Sequence, residues 1–396
     1  MKTNAQLRAS LRNISRVVIK IGSRVLIQKT GRPDIRRMRA LVQDIATLHQ
    51  AGKDVVVVTS GAIGAGLHAL GLRTRPDTLP DLQMAAAVGQ TRLMSRYSAL
   101  FARESIRIGQ VLLTHDDLRD RVRHLNARNT MMNLLRHRIV PVVNENDVVA
   151  VDEIKFGDND HLASLAAMLV DADLLILLST VDGFRRPISS RRTQRVPYLP
   201  RIEAETLALA IGKGSLFSIG GMRTKLESAG EFVDLGRLAV IANGRKANVV
   251  KRIMAGEDEG TLIGTGTLRA QAGSRKRWIA FFNKAQGAVT IDDGALRAIT
   301  AQGRSLLPAG VRSVEGRFPM GAVINVRTGN GTIVARGLTE YSSDDLERIK
   351  GRKTSEIAAL LGTKDYDEVI HRDHMLILSH TGSAETGHSE TGEISS

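Results

Sequence analysis

Five short segments hold the side chains that could do chemistry. Lys20-Ile21-Gly22-Ser23 sets a cation and a glycine at the end of an apolar run. A strand ending this way lets backbone N–H groups and a fixed ammonium meet a phosphate; the plain alternative is a surface lysine beside a turn. Thr59-Ser60-Gly61-Ala62-Ile63-Gly64-Ala65-Gly66 is small throughout. Small residues allow either a ligand or a packed helix to approach the backbone closely. The segment is not a Walker loop, since no Gly-Lys-Ser/Thr follows, and it is not Gly-x-Gly-x-x-Gly. Asn144-Glu145-Asn146-Asp147 and Phe156-Gly157-Asp158-Asn159-Asp160 concentrate carboxylates and amides. Buried carboxylates need a cationic partner or a metal, so these clusters could grip an ammonium group and position lysines; a solvated Asx-rich loop is the plain alternative. Gly220-Gly221-Met222-Arg223-Thr224-Lys225 leads into an apolar helical pattern. Glycines before a helix N-terminus form an anion site. A lysine in that first turn opposes the helix dipole, which argues for a reason other than helix stability. Gly212-Lys213-Gly214-Ser215 lacks the upstream glycine spacing of a phosphate loop and reads as loop. The histidines show no metal-ligand spacing.

The elements that must position these segments follow from the apolar patterning. Runs at Val17–Ile21, Val55–Val58, Ile106–Leu113, Ile139–Val143, Leu174–Leu178 and Leu238–Ala242 end in glycine or polar clusters. Continuous apolar runs suit strands buried on both faces. Ile35, Met38, Leu41, Val42, Ile45 and Leu48 recur at helical spacing, with Gly52 beyond, and Leu162, Leu165, Ala166 and Leu169 repeat the pattern after Asp160. Alternating strands and helices predict a mostly parallel sheet covered by helices, with ligands at the carboxyl ends of its strands. Past about Gln271 the pattern becomes short glycine-punctuated stretches at Ala288–Ile291, Gly321–Val326 and Thr332–Ala335, which predicts a small β-rich domain. Residues 379–396 are rich in Ser, Gly, Thr and Glu and read as a disordered tail.

A formal net charge of +15 suits anionic partners, whether nucleic acid or small anions such as nucleotides and dicarboxylates. Cysteine is absent, which excludes disulfides and thiolate chemistry. No apolar run is long enough to span a bilayer and the first sixteen residues hold no signal-like apolar stretch, so a cytoplasmic protein is expected.

In this order, the segments resemble the glutamate 5-kinase family of the amino acid kinase fold. The matching pieces are residues 18–23, 57–63, 86–90 (Ala-Ala-Val-Gly-Gln), 109–114, 125–128 (Leu-Asn-Ala-Arg), 141–147, 157–160 and 220–225. The stretch from Arg275-Lys276-Arg277-Trp278 through Ser305-Leu306-Leu307-Pro308 to His371-Arg372-Asp373 resembles the PUA domain that many members carry. The resemblance implies a three-layer α/β sandwich at 1–272, a linker at 273–285 and a PUA-like domain at 286–364. It implies transfer of the ATP γ-phosphoryl group to the side-chain carboxylate of glutamate, the first step of proline synthesis. Lys20 and Lys225 would flank the transferring group, with Asp160 organising them. Ser60, Asp147 and Asn159 would contact glutamate, Asp147 at its ammonium, Ser60 and Asn159 at its carboxylates. Lys20, Gly22, Ser179, Thr180 and the run Ile219, Gly220, Gly221, Met222, Arg223, Thr224, Lys225 would contact ATP. Mg2+ would arrive on the ATP phosphates, with no metal site of the protein's own. A homo-oligomer and feedback inhibition by proline, through a loop at 114–130, are further expectations.

Two departures stand out. Thr180 replaces an acidic residue, the following Tyr and Asp-Pro are missing, and Ser218 stands where a glycine is usual. Three other readings compete: a kinase of another amino acid carboxylate, a regulator that has lost catalysis, and an RNA-binding protein using Arg275, Lys276, Arg277, Arg304 and Arg312. The last has an ordinary basic surface as its plain, favoured counterpart.

Overall fold

The computed structural model describes residues 2–28, 33–72, 74–150, 159–189, 192–210, 221–266, 285–363 and 366–378. The expected linker, except for Ala285, and the expected tail lie outside these residues. The chain divides into two units, Met1–Gln271 and Ala272–Ser396.

The first unit is built on β1 (Arg16–Ile21), β2 (Asp54–Thr59), β3 (Ile108–Leu113), β4 (Val140–Glu145), β5 (Leu174–Ser179), β8 (Tyr198–Leu199), β9 (Leu238–Asn243) and β10 (Thr261–Ile263); β6 (Arg185–Pro187) and β7 (Thr193–Arg195) pair separately as a hairpin. The order across the sheet is β3-β4-β2-β1-β5-β9-β10-β8. From β3 to β9 every neighbour is parallel, and only the β9–β10 pairing is antiparallel. The six runs correspond to these six parallel strands; β1, β2, β4, β5 and β9 are buried almost throughout, whereas β3, at the sheet edge and interrupted by Gly109 and Gln110, is only partly buried.

Side chains alternate across a strand. Val17, Ile19 and Ile21 of β1, with Val55, Val57, Ile176 and Val240, enter one core against Leu41, Val42 and Ile45 of the helix Ile35–Gln50 and Tyr97 and Phe101 of the helix Leu79–Ala102. The helices Asp160–Leu169 and Met222–Val233 pack on each other and against β1, β5 and β9. Helices on both faces of a parallel sheet make the three-layer sandwich. Local signals set the helix ends. Asp34 accepts from the Arg37 N–H at the start of Ile35–Gln50, and Gly52, at φ +85°, ends that turn. Thr78 caps Leu79–Ala102, whose first turn holds Pro80 and Asp81.

The small residues after β2 serve close packing. The helix Ala62–Ala69 lies so near Leu79–Ala102 that a Cβ on Gly66 would stand 1.7 Å from the Ala85 carbonyl oxygen, and one on Gly89 1.8 Å from that of Ala62. This contact fixes the turn at Ser60-Gly61, where Gly61 takes φ +106°.

The second unit holds β11 (Gly287–Ile291), β12 (Val311–Glu315), β13 (Val323–Arg327), β14 (Ile333–Leu338) and β15 (Met375–Ile377), ordered β12-β11-β13-β14-β15. Only β11 and β13 pair in parallel. Val289, Ile324, Val326, Val334, Leu346 and Ile357 form part of its separate core.

No described helix is long and apolar enough to cross a membrane. Gly89→Ala should separate the two small-residue helices and lower stability by about 1–3 kcal/mol in urea unfolding. An unchanged midpoint would contradict the close approach.

Candidate active site

Lys20 is the next-to-last residue of β1. Its neighbours Ile19 and Ile21 enter the core with the helix Ile35–Gln50, so alternation sends Lys20 to the opposite face. It is 2% exposed, and a buried ammonium needs a counter-charge. Asp160 supplies it from the first turn of Asp160–Leu169, where a carboxylate also suits the helix dipole. Asp160 Oδ1 accepts from Lys20 Nζ at 2.6 Å, and Oδ2 accepts from Lys225 Nζ at 2.6 Å. Asp160 is 0% and Lys225 6% exposed. Lys225 sits in the first turn of Met222–Val233, held inward beside buried Leu226, Ser228 and Ala229. One carboxylate bridging both amines keeps them within about 7 Å of each other, the span of one phosphoryl group and its neighbouring oxygens.

The backbone at Gly22 runs close beside this clamp. The Gly22 N–H donates to the Leu178 carbonyl at 3.1 Å. A Cβ on Gly22 would come within 3.2 Å of that oxygen and 4.0 Å of Lys20 Nζ. Ser179, half-buried at the end of β5, accepts from the Gly244 N–H at 2.8 Å, and Thr180 follows, half-buried. Thr224 Oγ1 donates to the Gly221 carbonyl at 2.8 Å, closing the start of Met222–Val233, where Met222 is half-buried. Arg223 points outward and donates to Glu227 at 2.7 Å, away from the clamp. Ile219, Gly220 and Ser218 lie outside the described residues, as do Phe156, Gly157 and Asp158.

A second polar group lies at the ends of β2 and β4. Asn159, fully buried beside Asp160, donates from Nδ2 to the Thr59 carbonyl at 2.7 Å and to Asn144 Oδ1 at 2.8 Å. Asn144 Nδ2 donates to Gln90 Oε1 at 2.8 Å. The Thr59 hydroxyl shares a 2.9 Å hydrogen bond with the Tyr97 hydroxyl. Burial raises the Tyr97 pKa above its usual value, outweighing the Thr59 bond that pulls it down, so this hydroxyl stays protonated. Ser60 Oγ and Asn159 Oδ1 are buried with no hydrogen-bond partner among the described residues. Asp147, two residues past β4, is buried as well. The β2–β4 register, Val58 opposite Val143, brings Ser60 level with Glu145 and so next to this turn.

The structure thus joins Lys20, Asp160, Lys225 and Gly22 directly, and links Asn159 and Ser60 to them through Thr59 and the Asn159–Asp160 peptide. Sequence reasoning placed Asn144 in a polar cluster that could grip an ammonium group and Gln90 in a family-like segment, gave neither a role of its own, and passed over Tyr97. Asn144 carries a signal, a buried polar side chain near the end of an apolar strand; Gln90 and Tyr97 lie in a helix that also holds Asp81, Arg92 and Arg96, and do not stand out there. Among the described residues no group of three His, Cys, Asp or Glu side chains is placed to hold a metal. Of the residues considered for RNA, Arg275, Lys276 and Arg277 lie outside the described residues, Arg304 is exposed, and Arg312 pairs with Asp292 at 2.9 Å.

Residues 15–243 match the amino acid kinase family and residues 287–361 match the PUA domain. The glutamate 5-kinase of Moorella thermoacetica is 45% identical, covering 95% of this chain and 100% of its own. That of Syntrophus aciditrophicus is 43% identical over 93% of this chain and 95% of its own, and that of Citrifermentans bemidjiense 44% over 93% and 99%. These matches, on a chain whose fold brings one lysine from a strand and one from a helix to a single buried carboxylate, place it in the amino acid kinase family, as a member of the glutamate 5-kinases.

Proposed function

We propose that this chain transfers the γ-phosphoryl group of ATP to the 5-carboxylate of L-glutamate, giving L-glutamyl 5-phosphate and ADP, the first step of proline synthesis from glutamate. The observation that carries the reading is the carboxylate of Asp160, shared by the amines of Lys20 and Lys225 at 2.6 Å each. Phosphoryl transfer depends on positioning and on stabilising charge spread over the phosphoryl oxygens. A glutamate carboxylate oxygen attacks phosphorus, the bond to the β–γ bridging oxygen breaks, and ADP leaves with that electron pair. The nucleophile is ionised at neutral pH, so no protein base is needed. Lys20 and Lys225 meet the developing charge from two sides, and Asp160 is their organiser.

Asp147 and Asn159 receive the substrate ammonium in this reading, and Ser60 a carboxylate. The expectation that Asn159 meets a carboxylate is thereby reversed. Its nitrogen is committed to Thr59 and Asn144, and the atom left over is an oxygen, which only accepts. ATP lies along Gly22, Ser179, Thr180 and the 219–225 segment. Mg2+ comes with the ATP phosphates as part of the substrate, in keeping with its preference for phosphate oxygens and water; both Asp160 oxygens are engaged by lysines. We further propose cytoplasmic action, a homo-oligomeric state, and inhibition by proline near the 114–130 segment. His115 of that segment lies 3.7 Å from Glu145, at the glutamate end of the site.

In a coupled assay of ADP release with glutamate added and withheld, Lys225→Ala or Lys20→Ala should lower kcat by about 10²–10³, roughly 3–4 kcal/mol. ADP release that ignores glutamate, or a full-rate Lys225→Ala enzyme, would refute the assignment. Aspartate and N-acetylglutamate in the same assay separate this reading from a kinase of another carboxylate, and both should be poor substrates. Asp160→Ala should abolish turnover and also cost about 3–5 kcal/mol of stability in urea, since two buried cations lose their shared counter-charge. A loss below about 1 kcal/mol would show that the carboxylate is not needed to hold them.

A further inference from the structure

A backbone carbonyl oxygen can accept a hydrogen bond but never donate one. The Thr59 carbonyl therefore forces the nitrogen of the Asn159 amide toward itself, at 2.7 Å. The same nitrogen reaches Asn144 Oδ1 at 2.8 Å, so Asn144 must present its oxygen there and its nitrogen on the other side, where Gln90 Oε1 accepts it at 2.8 Å. All three amides are thus oriented from one end by a group that cannot change its role. Turning Asn144 over would set its nitrogen against the Asn159 nitrogen, donor against donor. At one end of the chain Asn159 Oδ1 is buried without a partner among the described residues; at the other, so is Gln90 Nε2. Leaving a buried acceptor without a donor is costly, so a ligand that brings a donor is favoured there.

Resting on the reading of Asn159 as a glutamate contact, we infer that Asn144 and Gln90 are positioning residues that lock the Asn159 amide with its oxygen toward the substrate, and that this polarity selects a substrate bearing an ammonium over a dicarboxylic acid without one. Glutarate, which matches glutamate except for the amine, offers Asn159 Oδ1 no donor. Sites that hydrogen-bond a substrate group discriminate strongly against analogues lacking it, because their own polar atoms are left unpaired. Neither Asn144 nor Gln90 has a hydrogen bond to Lys20, Asp160 or Lys225 among those described, so their effect falls on glutamate binding more than on the transfer step.

The test measures KM and kcat for glutamate, glutarate and ATP in wild type, Asn144→Leu and Asn144→Asp. Wild type without glutamate-dependent ADP release would overturn the functional reading itself, separately from this inference. With turnover present, Asn144→Leu should raise the glutamate KM about tenfold, the effect of one lost hydrogen bond. It should leave the ATP KM unchanged and narrow the preference for glutamate over glutarate. Asn144→Asp still accepts from Asn159, and Gln90 can turn its amide to donate Nε2 to the new oxygen, so it should recover most of that loss. A purely structural role for Asn144 gives the opposite order, because aspartate adds a buried charge. The inference is overturned if aspartate is no better than leucine, or if leucine leaves both the glutamate KM and the preference unchanged. Should Asn144→Leu fail to fold, Gln90→Leu against Gln90→Glu makes the same comparison, since glutamate keeps the acceptor that Asn144 needs.

Discussion

Everything at the carboxyl edge of the larger sheet depends on one carboxylate held between two ammonium groups. Lys20, Asp160 and Lys225 come from β1 and from the first turns of two helices, and all three are buried. Burying three charges is costly, and a well-packed apolar trio in their place would often be as stable or more so. The arrangement is therefore weak as a stabilising device and strong as a preorganised one. Each ammonium carries three donors and Asp160 takes one from each, so the amines are held at a set spacing before any phosphate arrives.

The sheet makes this possible. Parallel strands with continuous apolar runs give a rigid platform whose strand ends all open on one side. Alternation then decides which side chain goes where, since a one-residue shift of β1 would send Lys20 into the core occupied by Ile19 and Ile21. The glycines act at the same edge. Gly22 lets β1 end close against the Leu178 carbonyl, and Gly66 and Gly89 draw two helices together beneath the turn at Ser60. The polar chain through Thr59, Asn159, Asn144 and Gln90 completes the edge by fixing hydrogen-bond direction as well as position.

Much of this could be read from the sequence, for identifiable reasons. The parallel strands other than β3 are largely apolar runs, and each ends in a glycine or polar cluster that the fold places at the ligand edge. Tyr198–Leu199 and Thr261–Ile263 were not legible as strands, because two or three residues carry no periodicity and their pairing depends on β9. Lys20 and Lys225 stand some two hundred residues apart, and no spacing rule brings them to one carboxylate; likeness to a known family did. That likeness also covers the segments of Gln90, Asn144 and Asn159, but says nothing of the hydrogen bonds that join their amides. Gln90 sits in a helix of mixed polarity and Asn144 near the end of an apolar strand, and only the folded chain shows which of their atoms face each other. The direction of the Asn159 amide could not be read for the same reason, since it is set by a backbone carbonyl 100 residues earlier in the chain.

The most direct test of the shared-carboxylate account is a crystal structure with ADP, glutamate and an aluminium fluoride that mimics the phosphoryl group in transfer. The account predicts both lysine amines within about 3 Å of the fluorides, with the aspartate still touching each of them. A structure with either amine beyond about 5 Å of the fluorides, or with the aspartate bound to the metal instead, would contradict it.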